Sequence, residues 1–381
     1  MEGRRMKKVL LIAQAEYSDC ADGVQKKVRA QADAFERLGN EVHCVFYFHN
    51  KVTLSKTNCT DYITLDEHNG CSKRMYFWKK VKELVSHDYD LVFIRYSFID
   101  IQVLGVLKKI HGCGVPAVIE IPSIETPLYM YKGFARIQYR IDQVLGKKCK
   151  KYVNKVLYIG EGKRKALGCT AYPIPNGIPY GFDHIERTGY VCEKKVIRLL
   201  AVSMMGKSRG FDRVIRGCIN YYKNKNRTIR IEVSFVGEGE CLEELRKMTA
   251  ANGLEDCIFF RGKLSGEALE KEFKEASLGI GGLGLFHLGA CVCSTLKIKE
   301  YLLRGLPFIY AGREAGIPPD FKYALNIENC DVPVDMDQVV RFAGRLSALN
   351  RDTVIREMSD FALKNFDWKN ILNAECGEFL C

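Results

Sequence analysis

The sequence predicts an α/β protein built from two doubly wound domains. Short apolar runs alternate with longer segments of helical periodicity, which is the pattern of βαβ units and parallel sheets. The pattern stops at a polar, irregular stretch around residues 178–195 and then begins again. A chain of 381 residues is long for one domain and suits two of ordinary size. Ligands are expected at the carboxyl ends of the strands.

The first half of the chain predicts one sheet. After a first apolar strand, a polar loop covers residues 16–23, and a helix over residues 24–38 ends at Gly39 and Asn40. A second helix is predicted over residues 103–110. The predicted strands cover residues 8–13, 41–48, 91–96, 117–121 and 155–159.

The second half repeats the pattern, with glycine-containing loops after several strands. Helices are predicted from residue 211, over residues 241–251 and over residues 266–275. The predicted strands cover residues 197–203, 229–236, 257–260, 278–282, 308–311 and 324–327.

Two turn-forming residues, Pro179 and Gly189, mark the connector between the halves. We therefore expect a first domain over residues 1–178 and a second over residues 179–362. Residues 363–381 are expected to form a separate C-terminal helix.

Basic residues are concentrated in the first half. The formal net charge is +12; residues 1–180 hold 29 Lys and Arg against 18 Asp and Glu (+11), and the remainder holds 29 against 28 (+1). Segments 73–80 and 147–151 carry much of this excess. Basic residues beside aromatic ones suit an anionic membrane surface, and solvated helix faces are the alternative. No nucleic-acid motif accompanies them, so no nucleic-acid partner is expected.

The remaining composition favours a cytoplasmic protein. No apolar run approaches the ~18–20 residues that span a bilayer. The basic start resembles that of a signal peptide, but its apolar run at residues 9–13 is too short. The sixteen cysteines are scattered through apolar segments, which favours free thiols. Cys291 and Cys293 have no His/Cys cluster to complete a zinc site, so no metal is expected.

The most distinctive motif is STLKIKEYLLRGLP at residues 294–307. Ser294 and Thr295 stand where a helix would be capped, before an apolar stripe at helical spacing. Lys297 lies in the first turn, where a cation opposes the helix dipole unless an anion such as a diphosphate lies on the free N–H groups. Glu300, one turn later, could accept hydrogen bonds from sugar hydroxyls. An ordinary capped helix with solvated charges is the alternative.

Several motifs follow one another in a defined order. Gly23 opens the first helix, PNGI stands at residues 175–178, GEG at residues 237–239 and SxxKxxEY…GLP at residues 294–307. In this order and spacing they resemble the GT-B glycosyltransferases of the family-4 group, also called glycosyl transferases group 1. The resemblance covers essentially the whole chain. It implies two Rossmann-like domains facing a central cleft, with the helix at residues 363–381 crossing back to the first domain.

The resemblance implies that the second domain binds a nucleotide-diphosphate sugar without a metal ion or a cofactor. Lys297 and the N–H groups of Ser294, Thr295 and Leu296 would hold the diphosphate, with the helix dipole in place of a divalent ion. Glu300 would accept hydrogen bonds from the ribose hydroxyls.

Loops that follow strands complete the implied donor site. Arg209 stands where the family has a lysine and would be a second diphosphate cation, with Lys207 as a helper. Gly237 and Gly239 would let the backbone approach the ligand. The segment that begins at Arg261 would face the nucleobase. The alternatives are a surface charge for Arg209 and a tight turn for the two glycines.

The implied acceptor side lies on the first domain. Gly23 would face the acceptor and the transferred sugar, although a single glycine replaces the usual pair. Glu120 and Glu125 are candidates to orient acceptor hydroxyls or to act as a base. A helix-capping role is the alternative for a carboxylate at a strand end.

One position departs from the family pattern. The glutamate expected eight residues before Glu300 is replaced by Val292, which leaves the contact to the donor sugar unassigned. His287, just upstream, could contact the sugar or a phosphate, or it could be a structural histidine.

These features predict a retaining hexosyltransferase that moves a hexose from a nucleotide sugar to a sugar hydroxyl. The basic first half, joined to the resemblance, suggests a lipid-linked or polysaccharide acceptor in capsule or exopolysaccharide biosynthesis. The enzyme would then lie at the inner face of the cell membrane. Because Val292 replaces the glutamate of the family pattern, the alternative is a GT-B-like protein that binds a nucleotide or polyanion without turnover.

Overall fold

The computed structural model describes residues 5–17, 23–56, 62–64, 72–122, 133–182 and 185–380. The chain divides into two compact units. The first unit comprises Met1–Asp183 and Phe366–Cys381, and the second comprises His184–Asn365. The chain passes from one unit to the other after residues 183 and 365, whereas the sequence predicted domain boundaries after residues 178 and 362. Each unit contains a largely parallel sheet with helices, which confirms the predicted α/β class.

Among the described residues, the sheet of the first unit has a parallel centre and antiparallel edges. Its strands are β1 (Lys8–Tyr17), β2 (Glu41–Phe48), β3 (Lys51–Ser55), β4 (Tyr62–Thr64), β5 (Leu91–Arg95), β6 (Ala117–Ile121), β7 (Lys155–Ile159), β8 (Arg164–Ala166) and β9 (Cys169–Ile174). They lie in the order β4-β3-β2-β1-β5-β6-β7-β9-β8. The antiparallel strands β3, β4 and β8, which the sequence analysis did not predict, are at the two edges.

Helices cover both faces of this sheet. They are α1 (Gly23–Arg37), α2 (Lys73–Leu84), α3 (Ile101–Gly112), α4 (Phe134–Leu145) and the C-terminal helix α11 (Trp368–Leu380). Buried side chains of α1 and α11 pack on one face, and those of α2 and α3 pack on the other. None of the described helices of the chain is both long and apolar enough to cross a membrane.

The first strand is longer than predicted: it ends at Tyr17, whereas the sequence predicted an end at residue 13. After an irregularity between Ile12 and Glu16, β1 pairs with β2 again. The ring of Tyr17 then stacks on that of Phe46, with centroids 4.0 Å apart. Cross-strand packing therefore extends the strand through residues whose polarity predicted a loop.

The C-terminal helix packs on the first unit through Trp368. This side chain is buried, and Gly177 lies so close to the indole that an added Cβ would stand 2.5 Å from the ring. Arg37 donates two hydrogen bonds to Asp367, at 2.7 and 3.0 Å. Within this unit, the glycine of the PNGI segment is required by the close approach of the indole.

The second unit has a parallel sheet in the order β12-β11-β10-β13-β15-β17, with β14 and β16 paired separately. Its strands are β10 (Val196–Val202), β11 (Arg230–Val236), β12 (Ile258–Gly262), β13 (Leu278–Ile280), β14 (Val292–Cys293), β15 (Phe308–Ala311), β16 (Arg313–Glu314) and β17 (Ala324–Ile327). Its helices are α5 (Phe211–Tyr222), α6 (Leu242–Ala251), α7 (Gly266–Glu275), α8 (Leu296–Arg304), α9 (Met336–Ser347) and α10 (Arg351–Phe366), the last residue of which belongs to the first unit.

The packing of Gly177 against Trp368 makes a first prediction. Gly177→Ala should lower the free energy of unfolding by about 1–3 kcal/mol, because the methyl group overpacks a closed contact. Gly112→Ala is the matched control: that glycine lies in α3 with nothing within 4 Å of an added Cβ, so no loss of stability is expected. Urea denaturation measures both.

A double-mutant cycle separates this contact from a general effect of alanine. In a Trp368→Phe background the smaller ring leaves room, so Gly177→Ala should cost less than in the natural chain. Equal costs in the two backgrounds would show that the indole is not the cause.

Candidate functional site

Loops that follow neighbouring strands lie side by side at the carboxyl edge of the second sheet. The N–H of Met205, after β10, donates to the carbonyl of Glu238, after β11, at 2.8 Å. Gly237 donates in turn to the end of β12, and Leu283, after β13, donates to the carbonyl of Arg209 at 2.9 Å. These backbone contacts bring the predicted donor loops together in one unit.

The two glycines of GEG are required by this packing. A Cβ at Gly237, where φ is 136°, would stand 2.1 Å from the carbonyl oxygen of Ser203. A Cβ at Gly239 would stand 2.4 Å from the carbonyl oxygen of Met205. The close approach of two loops therefore explains both residues, and their contact with a ligand stays a prediction.

The start of α8 is held by a carboxylate from β16. Thr295 is the N-cap residue, but its hydroxyl caps no N–H of the helix. Glu314 Oε1 instead accepts the Thr295 N–H and the Lys299 ammonium, each at 2.6 Å. Lys299 and Glu314 are 0% and 1% exposed, and Lys299 Nζ also lies 3.0 Å from Ser294 Oγ. The predicted position of the cap is therefore confirmed at Thr295, but the Thr295 hydroxyl makes no capping hydrogen bond.

The sequence offered no signal for the pair of Lys299 and Glu314. Lys299 stands between Ile298 and Glu300 in a helix that also presents charges to solvent, so it resembles one more surface lysine. Its partner comes from a short strand fifteen residues later, and only the pairing of β14 with β16 brings the two together.

Four charges alternate along and beside α8. Lys297 Nζ lies 2.8 Å from Glu300 Oε2, and Arg304 donates to Glu300 Oε1 at 3.2 Å. Arg304 also donates two hydrogen bonds to Glu270, at 2.6 and 2.7 Å, and these lower the pKa of that carboxyl. The Glu300 side chain is 3% exposed, whereas that of Lys297 is 37% exposed. In this structure Glu300 therefore holds Lys297, and its contact with a ribose stays a prediction.

Arg209 supplies a cation beside the start of α8. It ends a 3₁₀ turn over Lys207–Arg209 that follows β10, and its side chain is half-buried. Within the described residues, neither Lys207 nor Arg209 has an ion-pair partner. Burial and Glu314 raise the pKa of the Cys293 thiol, and the positive charges of Lys299 and then of Arg209 oppose this rise. The guanidinium therefore lies near the first turn of α8 without a counter-ion from the described chain.

Two other predicted residues take different positions. His287 is exposed, in a 3₁₀ turn over Leu285–Leu288 that follows β13. The Arg261 guanidinium lies 3.0 Å from Glu272 of α7 and 4.7 Å from the ring centre of Phe259. The side chain of Arg261 is thus held at α7. The carbonyl of Gly262 accepts the Gly237 N–H at 2.8 Å, and Lys263 Nζ lies 3.3 Å from Glu238.

The structure shows where Val292, which replaces the glutamate of the family pattern, lies in the second unit. Val292 lies in β14 opposite Arg313 of β16. The next residue, Glu314, is the nearest carboxylate in sequence to that pairing, but its oxygens accept from Cys293, Thr295 and Lys299. Glu314 therefore does not stand in for the family's sugar-side carboxylate.

The predicted acceptor residues lie in the first unit. Gly23 is the exposed first residue of α1, and Glu125 is outside the described residues. Glu120 is 0% exposed, 2.8 Å from Lys27 Nζ and 3.1 Å from Gln31 Nε2. Burial alone would raise the pKa of Glu120, but the ion pair and the two hydrogen bonds lower it. A closed, ionised carboxylate cannot reach an acceptor, so the expected catalytic role of Glu120 is not supported.

Comparisons with known proteins identify the fold. No protein-family model and no curated protein sequence matches the chain. Among solved structures, the lipopolysaccharide outer core galactosyltransferase WaaB superposes with a TM-score of 0.60 at 15% identity, covering 97% of this chain and 99% of that one. Anabaena HepE in complex with UDP and glucose superposes with 0.57 at 13% identity, covering 98% and 99%.

A third structure extends the same result. An E. coli structure described as trehalose-6-phosphate bound with UDP-2-fluoro glucose superposes with a TM-score of 0.60 at 11% identity, covering 97% of this chain and 98% of that one. At these identities the likeness concerns the fold alone. The chain has the fold of the GT-B glycosyltransferases, as its motifs predicted.

The pair of Lys299 and Glu314 makes the second prediction. Glu314→Gln should lower the free energy of unfolding by about 3–5 kcal/mol, because it leaves a buried ammonium without a counter-charge. The double variant Glu314→Gln/Lys299→Met removes both charges and should recover most of this loss. Chemical denaturation measures both variants.

An exposed pair provides the control. Glu357→Gln breaks the 2.7 Å contact with Lys322 at the surface and should change stability little. If Glu314→Gln is no more costly than Glu357→Gln, the start of α8 does not depend on Glu314.

Proposed function

We propose that the protein is a retaining glycosyltransferase that moves a hexose from a nucleotide-diphosphate sugar to a sugar hydroxyl. The observation that carries this proposal is the half-buried Arg209 beside the start of α8, where Lys297 is also exposed. Two cations at a helix N-terminus suit a diphosphate, because the first N–H groups and the helix dipole also favour negative charge. A guanidinium can engage two phosphate oxygens at once.

The solved structures with the same fold support a nucleotide-sugar donor. HepE holds UDP and glucose, and the E. coli structure holds UDP-2-fluoro glucose. In this chain the loops after β10 and β11 and the first turn of α8 occupy the carboxyl edge of a parallel sheet, which is the usual ligand-binding edge of such sheets.

The proposed chemistry places most of the catalytic effect at the leaving group. When the bond between the sugar and the phosphate oxygen breaks, the electron pair stays on the diphosphate. Lys297, Arg209 and the start of α8 would stabilise that charge. The ion pairs of Glu300 and Arg304 keep Lys297 in place before the donor binds, so little reorganisation is needed during the reaction. His287 is retained as a candidate contact to the transferred sugar.

The acceptor is proposed to be a lipid-linked glycan or a polysaccharide, at the inner face of the cell membrane in capsule or exopolysaccharide biosynthesis. The support is the excess of basic residues in the first half, where residues 1–180 carry a net charge of +11. A positively charged protein is attracted to anionic lipid, and this attraction weakens as salt rises.

The third prediction tests the donor site. At least one of UDP, GDP and ADP should raise the melting temperature of the protein, since a ligand that binds only the folded state stabilises it. Arg209→Gln and Lys297→Gln should each weaken that binding about tenfold or more, because each removes a charge-assisted contact to phosphate. Lys225→Gln removes an exposed cation of the same unit and should leave the affinity unchanged.

Turnover is tested separately with a panel of nucleotide sugars and a lipid-linked acceptor. Release of the nucleoside diphosphate that depends on Lys297 supports the enzyme. Binding without turnover on every acceptor would favour a nucleotide-binding protein, and no shift with any nucleoside diphosphate would contradict the donor site itself.

A further inference from the structure

We propose that α4, together with the basic turn that follows it, docks the first unit on the surface of an anionic lipid bilayer. This proposal rests on the proposed function, because a lipid-linked acceptor would lie at a membrane. Its place in the fold rests on separate observations of exposure, spacing and charge.

The first observation is an exposed apolar stripe. Ile137, Ile141 and Val144 are 55%, 42% and 66% exposed, although each is a large aliphatic residue. Their spacing of four and three residues places them on one face of the helix. Single exposed apolar side chains are ordinary, but a contiguous row of them marks an interaction surface.

The second observation is that this row cannot turn inward. Asp142, on the other side of α4, is buried and accepts the Ile99 N–H at 2.6 Å. That contact fixes the rotation of the helix about its axis, because Asp142 lies about 100° or more from each residue of the apolar row. The row therefore stays exposed in the folded unit.

The third observation is the charge beside the row. Arg136 and Arg140 each precede a residue of the row by one position and are exposed. The 3₁₀ turn Gly146–Lys151 continues the helix with four exposed lysines: Lys147, Lys148, Lys150 and Lys151. Residues 134–151 thus hold six basic residues against one acidic residue, Asp142, which is buried. An apolar row beside a cationic row is the pattern of a helix that lies in a membrane interface.

The first unit has a further exposed aliphatic residue near the segment that contacts α4. Ile101, the first residue of α3, is 76% exposed and stands two positions after Ile99, which is bonded to α4. The first turns of α3 and α4 both follow the carboxyl ends of strands, β5 and β6. The contact of Ile99 with Asp142 places the middle of α4 beside the segment that follows the carboxyl end of β5.

Charge and hydrophobicity together favour a bilayer over other partners. A nucleic acid would use the cations but has no use for three exposed aliphatic side chains. A second copy of this chain would bring a like-charged face against this one, which electrostatic repulsion opposes. An anionic bilayer satisfies both rows at once, because lipid head groups neutralise the cations while the aliphatic side chains enter the acyl boundary.

The experiment measures sedimentation of the full chain with two kinds of vesicle. One contains phosphatidylcholine alone, and the other also contains about 30 mol% of the anionic lipid phosphatidylglycerol. The natural chain should bind the anionic vesicles and lose affinity as salt rises. Ile137→Ser/Ile141→Ser/Val144→Ser should weaken binding about tenfold or more, because it removes apolar area and keeps every charge. Replacing the four lysines of the basic turn by Gln should weaken binding and reduce its salt dependence.

Matched controls come from the second unit. Val332→Ser/Leu349→Ser/Leu363→Ser removes three side chains of similar exposure, at 43%, 45% and 39%. Replacing Lys223, Lys225, Lys247 and Lys271 by Gln removes the same charge as the lysine variant. Both should bind vesicles as the natural chain does. The nucleotide-induced melting shift should be unchanged in every variant, so a failure here is distinguishable from a failure of the proposed donor site.

Three outcomes would overturn the proposal. The natural chain could fail to bind anionic vesicles at low salt, or the apolar triple variant could bind as tightly as its control. In the third outcome, the natural chain would not bind vesicles, and light scattering would show that it is a dimer while the apolar triple variant is a monomer. The face would then be an interface between copies of this chain.

Discussion

The carboxylate of Glu314 is the group on which the start of α8 depends. It accepts the N–H of Thr295 and the ammonium of Lys299 in a place closed to solvent. A buried charge without such partners would cost several kcal/mol, so this contact sets where the first turn of α8 can lie. The pair is neutral, and Lys297 is balanced by Glu300 of the same helix. Among the described residues, the nearby guanidinium of Arg209 is therefore left as net positive charge beside the start of α8. A site arranged before its ligand arrives needs little reorganisation when charge develops.

Each of the two units contains a buried ion pair between a glutamate of a strand and a lysine of a helix. In each, a glutamate is buried against a lysine from a helix: Glu314 with Lys299, and Glu120 with Lys27. Neither carboxylate is open to a substrate. A glutamate at or near the end of a strand resembles a catalytic base in a sequence, but here the charges hold helix and strand in register. The groups proposed to contact a ligand in the second unit are cations and backbone N–H groups.

Positive charge is used in two ways in this protein. Arg209 and Lys297 are partly buried beside a helix start, where a small anion can be held by several groups together. The cations after α4 are exposed and stand beside aliphatic side chains. The first arrangement suits a diphosphate, and the second suits an extended charged surface. Val292 stands where the family pattern has a glutamate, so only the phosphate end of the proposed donor site matches that pattern.

The sequence by itself determined the α/β class, the repeated sheet pattern and the helix at α8, because burial repeats with the period of each element and leaves a local record. The resemblance of its motifs also led to the GT-B fold. Only the tertiary structure decided that Glu314 holds the start of α8, that Glu120 is closed off and that Arg261 turns to Glu272. It also decided that Tyr17 extends β1 and that Ile137, Ile141 and Val144 face outward. Periodicity records which side of an element is apolar, whereas charge pairing and the exposure of one face depend on residues brought close from elsewhere in the chain.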